Sequence, residues 1–275
     1  MEFFQVDVFA NKPYEGNPTA VFPEAGHLSD EQMQQLAREM NLSESVFVTS
    51  IEEDSYDVRI FTPAVELPFA GHPTIGCAWL LSQLGLMTSE RFVQRSPVGA
   101  TSIWKEDDDF WLERKGSVDA PTTDLDKLAK LLGLSREYLT LKWDDTTLAP
   151  AVADAGLTQM IVPICDLATL EAIEAPHSLD PDSYAGAFCF TRTDDGIRAR
   201  GFFPDVGIVE DPATGSACAA LGLYLGTHIG DVETVVVQGV EIGRHSVINT
   251  RTRGDTVSIG GSCRRVLKGM VEALP

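Results

Sequence analysis

The chain has 275 residues, 44% hydrophobic and 23% charged, with a formal net charge of −20 at pH 7; that is room for one large domain or two of ordinary size, in the composition range of a globular protein. So acidic a surface has the wrong sign for nucleic acid or an anionic membrane, and an anionic ligand must be captured by local groups against an unfavourable overall field. No basic-plus-apolar leader opens the sequence, no apolar run is long enough to span a bilayer, and five scattered cysteines among apolar neighbours read as reduced core thiols, which together imply a cytoplasmic protein.

In chain order, F-F-Q-V-D-V-F (3–9) alternates as a strand, N-K-P-Y-E-G-N-P (11–18) is turn-rich, and T-A-V-F (19–22) is a second strand. Ser29 is placed to cap a helix running to Met40, with Met33, Leu36 and Met40 at helical spacing. Strands follow at 45–49 and 57–63, the latter stopped by Pro63. A-G-H-P-T-I-G-C-A-W-L-L-S-Q-L-G (70–85) predicts a helix starting near His72 and closing at Gly85, and strands are expected at 91–95, 101–105 and 109–114. Residues 116–125 shift to Gly, Ser, Asp, Pro and Thr, which marks a domain boundary. The expected division is an N-terminal domain of 1–117, completed by 262–275, and a C-terminal domain of 118–261.

In the second half, 125–133 is amphipathic and helical, and strands are expected at 158–164, 187–191, 197–204, 234–238, 246–252 and 256–261. Residues 264–273 are expected to form a strand returning to the first domain. Between these strands lies V-E-D-P-A-T-G-S-A-C-A-A-L-G-L-Y-L-G (209–226), almost uncharged after Asp211. It reads as a helix buried on most faces, with Asp211 as N-cap, Pro212 at the first helical position and Gly226 near the C-cap. A buried helix still presents unpaired N–H groups at its start, a natural anion site.

One offset relates the halves. Shifting by 141 residues lays Phe61 on Phe202, Pro63 on Pro204, Val65 on Val206, Cys77 on Cys218, Ala78 on Ala219, Leu80 on Leu221, Leu84 on Leu225 and Gly85 on Gly226. Strand, Pro-containing turn and buried helix recur together, as two copies of one plan would give. A pseudo-twofold would bring both helix starts to a shared cleft, where small ligands usually bind.

The two helix entries each put an ionisable residue before a proline: His72-Pro73 and Asp211-Pro212. Capping alone would account for Asp211. His72 is not a favoured N-cap, and a helix N-terminus disfavours its cationic form, which suits proton exchange; a packed structural histidine is the alternative. Glu44, in N-L-S-E-S-V-F, has no acidic counterpart, because the 141 shift lands on Ala185. It is either the single base of a proton transfer or a solvated strand-edge glutamate. Gly71 and Gly215 would open backbone N–H groups to a ligand, and Ser216 would add a hydroxyl donor; tight helix packing would also explain the glycines. The remaining histidines show no metal-ligand spacing.

G-N-P-T-A-V (16–21), N-L-S-E-S-V-F (41–47), F-T-P-A-V-E-L-P-F-A-G-H-P-T-I-G (61–76) and E-D-P-A-T-G-S-A (210–217) resemble the PhzF-like isomerases, the phenazine-biosynthesis branch of the diaminopimelate-epimerase fold. The resemblance runs in order from about residue 4 to the C-terminus. It implies two pseudo-symmetric α+β domains, each a curled, barrel-like sheet around a central helix, with the reaction between them, no metal or organic cofactor, and a homodimer. By the same resemblance Glu44 matches the catalytic glutamate that takes a proton from one carbon and returns it to another. His72, Asp211 and Ser216 match polar residues around the substrate, and Gly71 and Gly215 the glycines whose N–H groups hold its carboxylate. Epimerases and racemases of this fold carry a cysteine at each helix start; here those entrances hold His72 and Asp211.

The expected function is a cofactor-independent isomerase of a small carboxylate-bearing metabolite, moving a proton and a double bond through Glu44. A water-poor cleft would raise the Glu44 pKa towards neutrality and let it serve as both acid and base. The alternatives are an amino- or hydroxy-acid epimerase, with Glu44 paired to His72 or Asp211, and a non-catalytic binder of small acids.

Overall fold

Cooperative local signals set the first elements. In the computed structural model, which describes residues 1–120, 124–179 and 184–275, Ser29 caps helix α1 (Asp30–Met40) in a reciprocal capping box with Gln32. Met33, Leu36 and Ala37 face inward, and Asn41 ends the helix in the left-handed region. Of the boundary stretch 116–125, residues 121–123 lie outside the described residues.

The strands are β1 (Glu2–Val8), β2 (Asn17–Phe22), β3 (Glu44–Ile51), β4 (Ser55–Phe61), β5 (Glu66–Leu67), β6 (Arg91–Ser96), β7 (Gly99–Glu106), β8 (Asp109–Lys115), β9 (Ser117–Asp119) and β10 (Leu141–Trp143). They continue as β11 (Thr146–Leu148), β12 (Ala151–Asp154), β13 (Thr158–Pro163), β14 (Ala187–Thr193), β15 (Gly196–Phe203), β16 (Ile208–Asp211), β17 (Val232–Gln238), β18 (Ser246–Arg253), β19 (Thr256–Gly261) and β20 (Cys263–Met270). The other helices are α2 (Gly71–Gln83), α3 (Leu125–Leu131), α4 (Leu167–Glu171) and α5 (Gly215–Ile229). The chain divides into two compact units, Met1–Glu113 with Gly260–Pro275, and Arg114–Ile259.

In unit 1 the pairing runs β20–β1–β2–β3–β4–β6–β7–β8, with β5 on β4. In unit 2 it runs β9–β12–β13–β14–β15–β17–β18, with β16 on β15. The first seven strands of the unit 1 run match those of unit 2 one for one, including the sense of every pairing. β2–β3 and β13–β14 are parallel, as are β4–β6 and β15–β17, and the others are antiparallel. The duplication inferred from the sequence is therefore a duplication of topology, and the last strand does return to β1, as expected.

Each unit packs its sheet on one buried helix. A flat run of seven strands would be roughly 29 Å wide. Yet α5 contacts β9 and β18, the two ends of the unit 2 run, as well as β12, β13 and β17. A 15-residue helix is about 22 Å long, so these contacts fit a unit 2 sheet bent around α5. Among the described pairings neither run closes into a complete barrel, and both units are sheet-dominated α+β layers. In unit 1, α2 lies against β1, β2, β3 and β20. Gly76 permits that approach, since a Cβ there would stand 2.6 Å from Val8 Cγ2 and 3.0 Å from Thr19 Cγ2.

The second helix differs from expectation at both ends. Asp211 is not its N-cap: it closes β16, and Thr214 is the N-cap, so Pro212 lies in the connection. Gly226 is not near the C-cap either. It sits inside α5, where a Cβ would stand 2.5 Å from Thr252 Cγ2, and the helix stops at Gly230 with φ +87. Glycine at 226 serves close packing against β18 rather than chain reversal. The first intrahelical bonds, Thr74 N–H to Ala70 O and Cys218 N–H to Thr214 O, make Ala70 and Thr214 equivalent caps. The offset at the helices is thus 144, not 141, and Cys77 and Cys218 are buried without being equivalent.

Candidate active site

Unit 1 brings Glu44 and His72 together. Glu44 is the first residue of β3, and the parallel register sets it opposite Thr19, whose hydroxyl donates to the Glu44 carbonyl at 3.1 Å. His72 is the second residue of α2, behind the N-cap Ala70. Its Nε2 lies 3.5 Å from Glu44 Oε2, with the two side chains 6% and 13% exposed. That is ion-pair distance without hydrogen-bond contact, and the buried Glu44 Oε2 accepts no hydrogen bond among the described residues.

Burial is the main force on this carboxyl. It pushes Glu44 up from 4.5 to about 7, and a hydrogen bond from Ser43 opposes the shift in part. The Ser43 hydroxyl also reaches Asn17 Oδ1 at 3.1 Å, and with one proton it serves two acceptors only in turn.

The start of α2 is braced from below. Tyr56 O–H donates to Gln94 Oε1 at 3.1 Å, Gln94 Nε2 donates to the Thr74 hydroxyl at 2.8 Å, and that hydroxyl donates to Ala70 O at 2.8 Å. Gly71 is buried at the same helix start.

Unit 2 groups Asp211, Gly215 and Ser216 at the start of α5. Asp211 is 6% exposed, and the Thr214 hydroxyl donates to its Oδ2. Gly215 and Ser216 are the first two residues of the helix. In the 144 offset Ser216 is the counterpart of His72, while Asp211 stands on the preceding strand. Behind Asp211, Glu210 forms a two-pronged ion pair with Arg200, at 2.9 and 2.8 Å. The other arm of Arg200 donates to the carbonyls of Leu170, Glu171 and Ile173 at the end of α4. Neither α2 nor α5 has a side-chain cap or an acidic residue in its first turn. Their leading N–H groups keep the partial positive charge that favours an anion.

Glu44 has no acidic counterpart in the structure. Ser45 pairs with Phe61 as Ala187 pairs with Phe202, so the position equivalent to Glu44 is Gly186 rather than the Ala185 of the constant shift. The sequence reading passed over Thr214, Gln238, Thr74, Gln94 and Tyr56, which hold the helix starts. One trace of them was available: Gln94 and Gln238 are separated by the same 144 residues as Gly71 and Gly215. Among the described residues no group of three or more His, Cys, Asp or Glu side chains is placed to hold a metal ion, and no helix is long and apolar enough to cross a membrane.

Comparison with known proteins gives a consistent picture. The family model described as phenazine biosynthesis-like protein matches residues 6–269. Trans-2,3-dihydro-3-hydroxyanthranilate isomerase of Pseudomonas chlororaphis is 38% identical over 261 residues, covering 90% of this chain and 89% of that protein. A Bacillus anthracis protein of the PhzF family superposes with a TM-score of 0.90 at 24% identity, over 99% of each chain. A hydroxyproline epimerase of Agrobacterium vitis superposes with a TM-score of 0.63 at 11% identity, over 98% of this chain and 91% of its own, which extends the likeness of fold to epimerases.

Proposed function

The chain belongs to the phenazine biosynthesis-like family and is an isomerase, and from that premise we propose that it shifts a proton and a double bond within a small carboxylate-bearing metabolite, with Glu44 carrying the proton. The observation that carries this reading is the buried Glu44 carboxyl, with a pKa of about 7 and one oxygen lacking a donor among the described residues, 3.5 Å from His72. A group poised there is ionised often enough to remove a carbon-bound proton and acidic enough to return it.

In the proposed reaction Glu44 takes a proton from one carbon, the electron pair moves into the conjugated system, and protonated Glu44 delivers the same proton to a second carbon. Negative charge that accumulates meanwhile meets the first-turn N–H groups at Gly71 and Gly215 and the Ser216 hydroxyl, with no metal or organic cofactor required. His72 and Asp211 are the candidates to meet polar substituents of the substrate. The compound for which the Pseudomonas chlororaphis relative is named, trans-2,3-dihydro-3-hydroxyanthranilate, is the first substrate to test. We also carry forward a cytoplasmic homodimer, which light scattering and fractionation would check.

The epimerase alternative is disfavoured in its two-thiol form. Cys77 and Cys218 are fully buried, and burial pushes both thiols well above their usual range. The deciding experiment follows the candidate substrate in deuterium oxide by NMR with the wild type and Glu44→Gln. We expect a relocated double bond with the wild type, and loss of turnover by roughly a hundredfold or more with the variant. Turnover that survives Glu44→Gln would remove Glu44 from its role, and exchange with inversion at one unchanged centre would establish an epimerase.

A further inference from the structure

In unit 2 one buried side chain converges on the segment that carries Asp211 into α5. Gln238, the last residue of β17, is fully buried. Its Oε1 accepts from Thr214 N–H at 3.0 Å, and its Nε2 donates to Asp211 O at 2.7 Å and to Thr214 Oγ1 at 3.1 Å. Both amide protons are then used, and the orientation of the amide is fixed. Turned over, it would set oxygen against the Asp211 carbonyl and NH2 against the Thr214 N–H.

The polarity propagates. Because Thr214 Oγ1 receives a proton from Gln238, its own proton is left for Asp211 Oδ2, the acceptor it faces. The chain therefore runs in one direction, from amide to hydroxyl to carboxylate, and holds the Asp211 side chain by a residue twenty-seven positions away. The backbone makes room for it on two sides. A Cβ on Gly201 would stand 3.0 Å from Gln238 Nε2 and 3.1 Å from Thr214 Oγ1. Gly239 has φ +74, and a Cβ there would stand 2.6 Å from Pro212 O.

A related contact is made in unit 1 from a different register position, since Gln94 pairs with Tyr56 where the corresponding unit 2 pair is Val236 with Ile197. Gln94 occupies β6, the counterpart of β17, is likewise fully buried, and reaches the first turn of α2 through Thr74. The offset from Gln94 to Gln238 equals that between the helix starts. A glutamine on the strand after each central helix thus anchors that helix's N-terminus, directly to the cap in unit 2 and through a threonine in unit 1.

We propose that Gln238 is a positioning residue for the reaction, orienting the Asp211 carboxylate and the Gly215 N–H through Thr214. This inference rests on the reading of Asp211 and Gly215 as substrate-facing groups. Gln238→Met keeps the length of the side chain and removes its hydrogen bonds, Thr214→Val removes the hydroxyl at equal volume, and Thr214→Ser restores it.

Two readouts are needed, on the full-length protein. Hydrogen exchange followed by mass spectrometry should show protection of the peptide spanning 211–217 lowered at least tenfold in Gln238→Met, with α1 peptides unchanged. With trans-2,3-dihydro-3-hydroxyanthranilate, kcat should fall at least tenfold in Gln238→Met and Thr214→Val, the double variant should lose no more than the worse single one, and Thr214→Ser should recover most of the loss. Unchanged exchange at 211–217 overturns the inference whether or not the compound is a substrate. Altered exchange with undiminished kcat in both variants overturns it while the isomerase reading stands. Absence of wild-type turnover counts against the chosen substrate, and the exchange result then decides the anchoring by itself.

Discussion

The Glu44 site makes a claim on stability that needs no substrate. With a folded-state pKa of about 7 against 4.5 for an ordinary glutamate, the native protein holds this proton more tightly than the unfolded chain. Stability linked to Glu44 is then fully present below pH 4.5, declines between 4.5 and 7, and is lost above 7. A shift of that size corresponds to about 3 kcal/mol. The side chain is only 13% exposed, so solvent screening takes little from it.

Glu44→Gln keeps shape and polarity but cannot ionise. Against the wild type it should be near neutral at pH 4.5 and stabilising by about 3 kcal/mol at pH 8, the difference opening between those values. Urea denaturation of both proteins across the range measures it, and the same pair of curves in a His72→Gln background separates the carboxyl from its neighbour. A Glu44→Gln effect that is flat with pH, or larger in acid, would refute the burial argument. A variant that is both inactive and more stable in base would show the site holding a charge at the expense of the fold.

Other consequences are as direct. The kcat/KM profile should rise with pH through about 7 as Glu44 ionises, and lose that limb in Glu44→Asp if the shorter carboxyl gains solvent; rates on the confirmed substrate would show it. Glu210→Ala would leave the buried Arg200 guanidinium only Glu241, at 4.0 Å, as counter-charge and should cost about 3 kcal/mol in denaturant titration, where a surface pair would cost under about 1. Gly76→Ala should destabilise by about 1–3 kcal/mol, because its methyl would have to displace Val8 and Thr19. Of the five thiols only Cys165 should react promptly with a disulfide reagent in the native state, since the other four are buried and burial raises their pKa, Cys189 to about 12.

Periodicity made most elements legible: β1, β2, α1 and the strand series around both central helices stand close to where alternation and capping put them. The short strands β5, β9, β10, β11, β12 and β16 escaped because two to four residues carry no period. The start of α5 escaped for a different reason. Asp-Pro is a strong helix opening on local grounds, but here Asp211 pairs across to Gly201 as the end of a strand, and Thr214 caps instead. Tertiary pairing outweighed a local preference of about 1 kcal/mol. Glu44 and His72 were legible as candidates, while their 3.5 Å approach was not, because it depends on the register of β2 against β3 and on the depth at which Gly76 lets α2 settle.

The duplication also makes the candidate site lopsided. Equivalent positions of the two units hold Glu44 against Gly186, His72 against Ser216, and Ala70 against Thr214. A symmetric pair of bases, as a racemase working from both faces would use, has no equivalent residues here to supply it. What the halves keep in common is the helix start itself, each with about half a positive charge at its leading N–H groups, and a buried glutamine beneath it. The shared part is what an anionic group of a substrate needs in a chain of net charge −20. The unshared part is the buried Glu44 carboxyl, and in the proposed reaction a single such group moves a proton from one carbon to another within a molecule without a second base. The division between a shared frame and differing side chains thus favours a proton shift over inversion, and the deuterium experiment on Glu44→Gln asks that question directly.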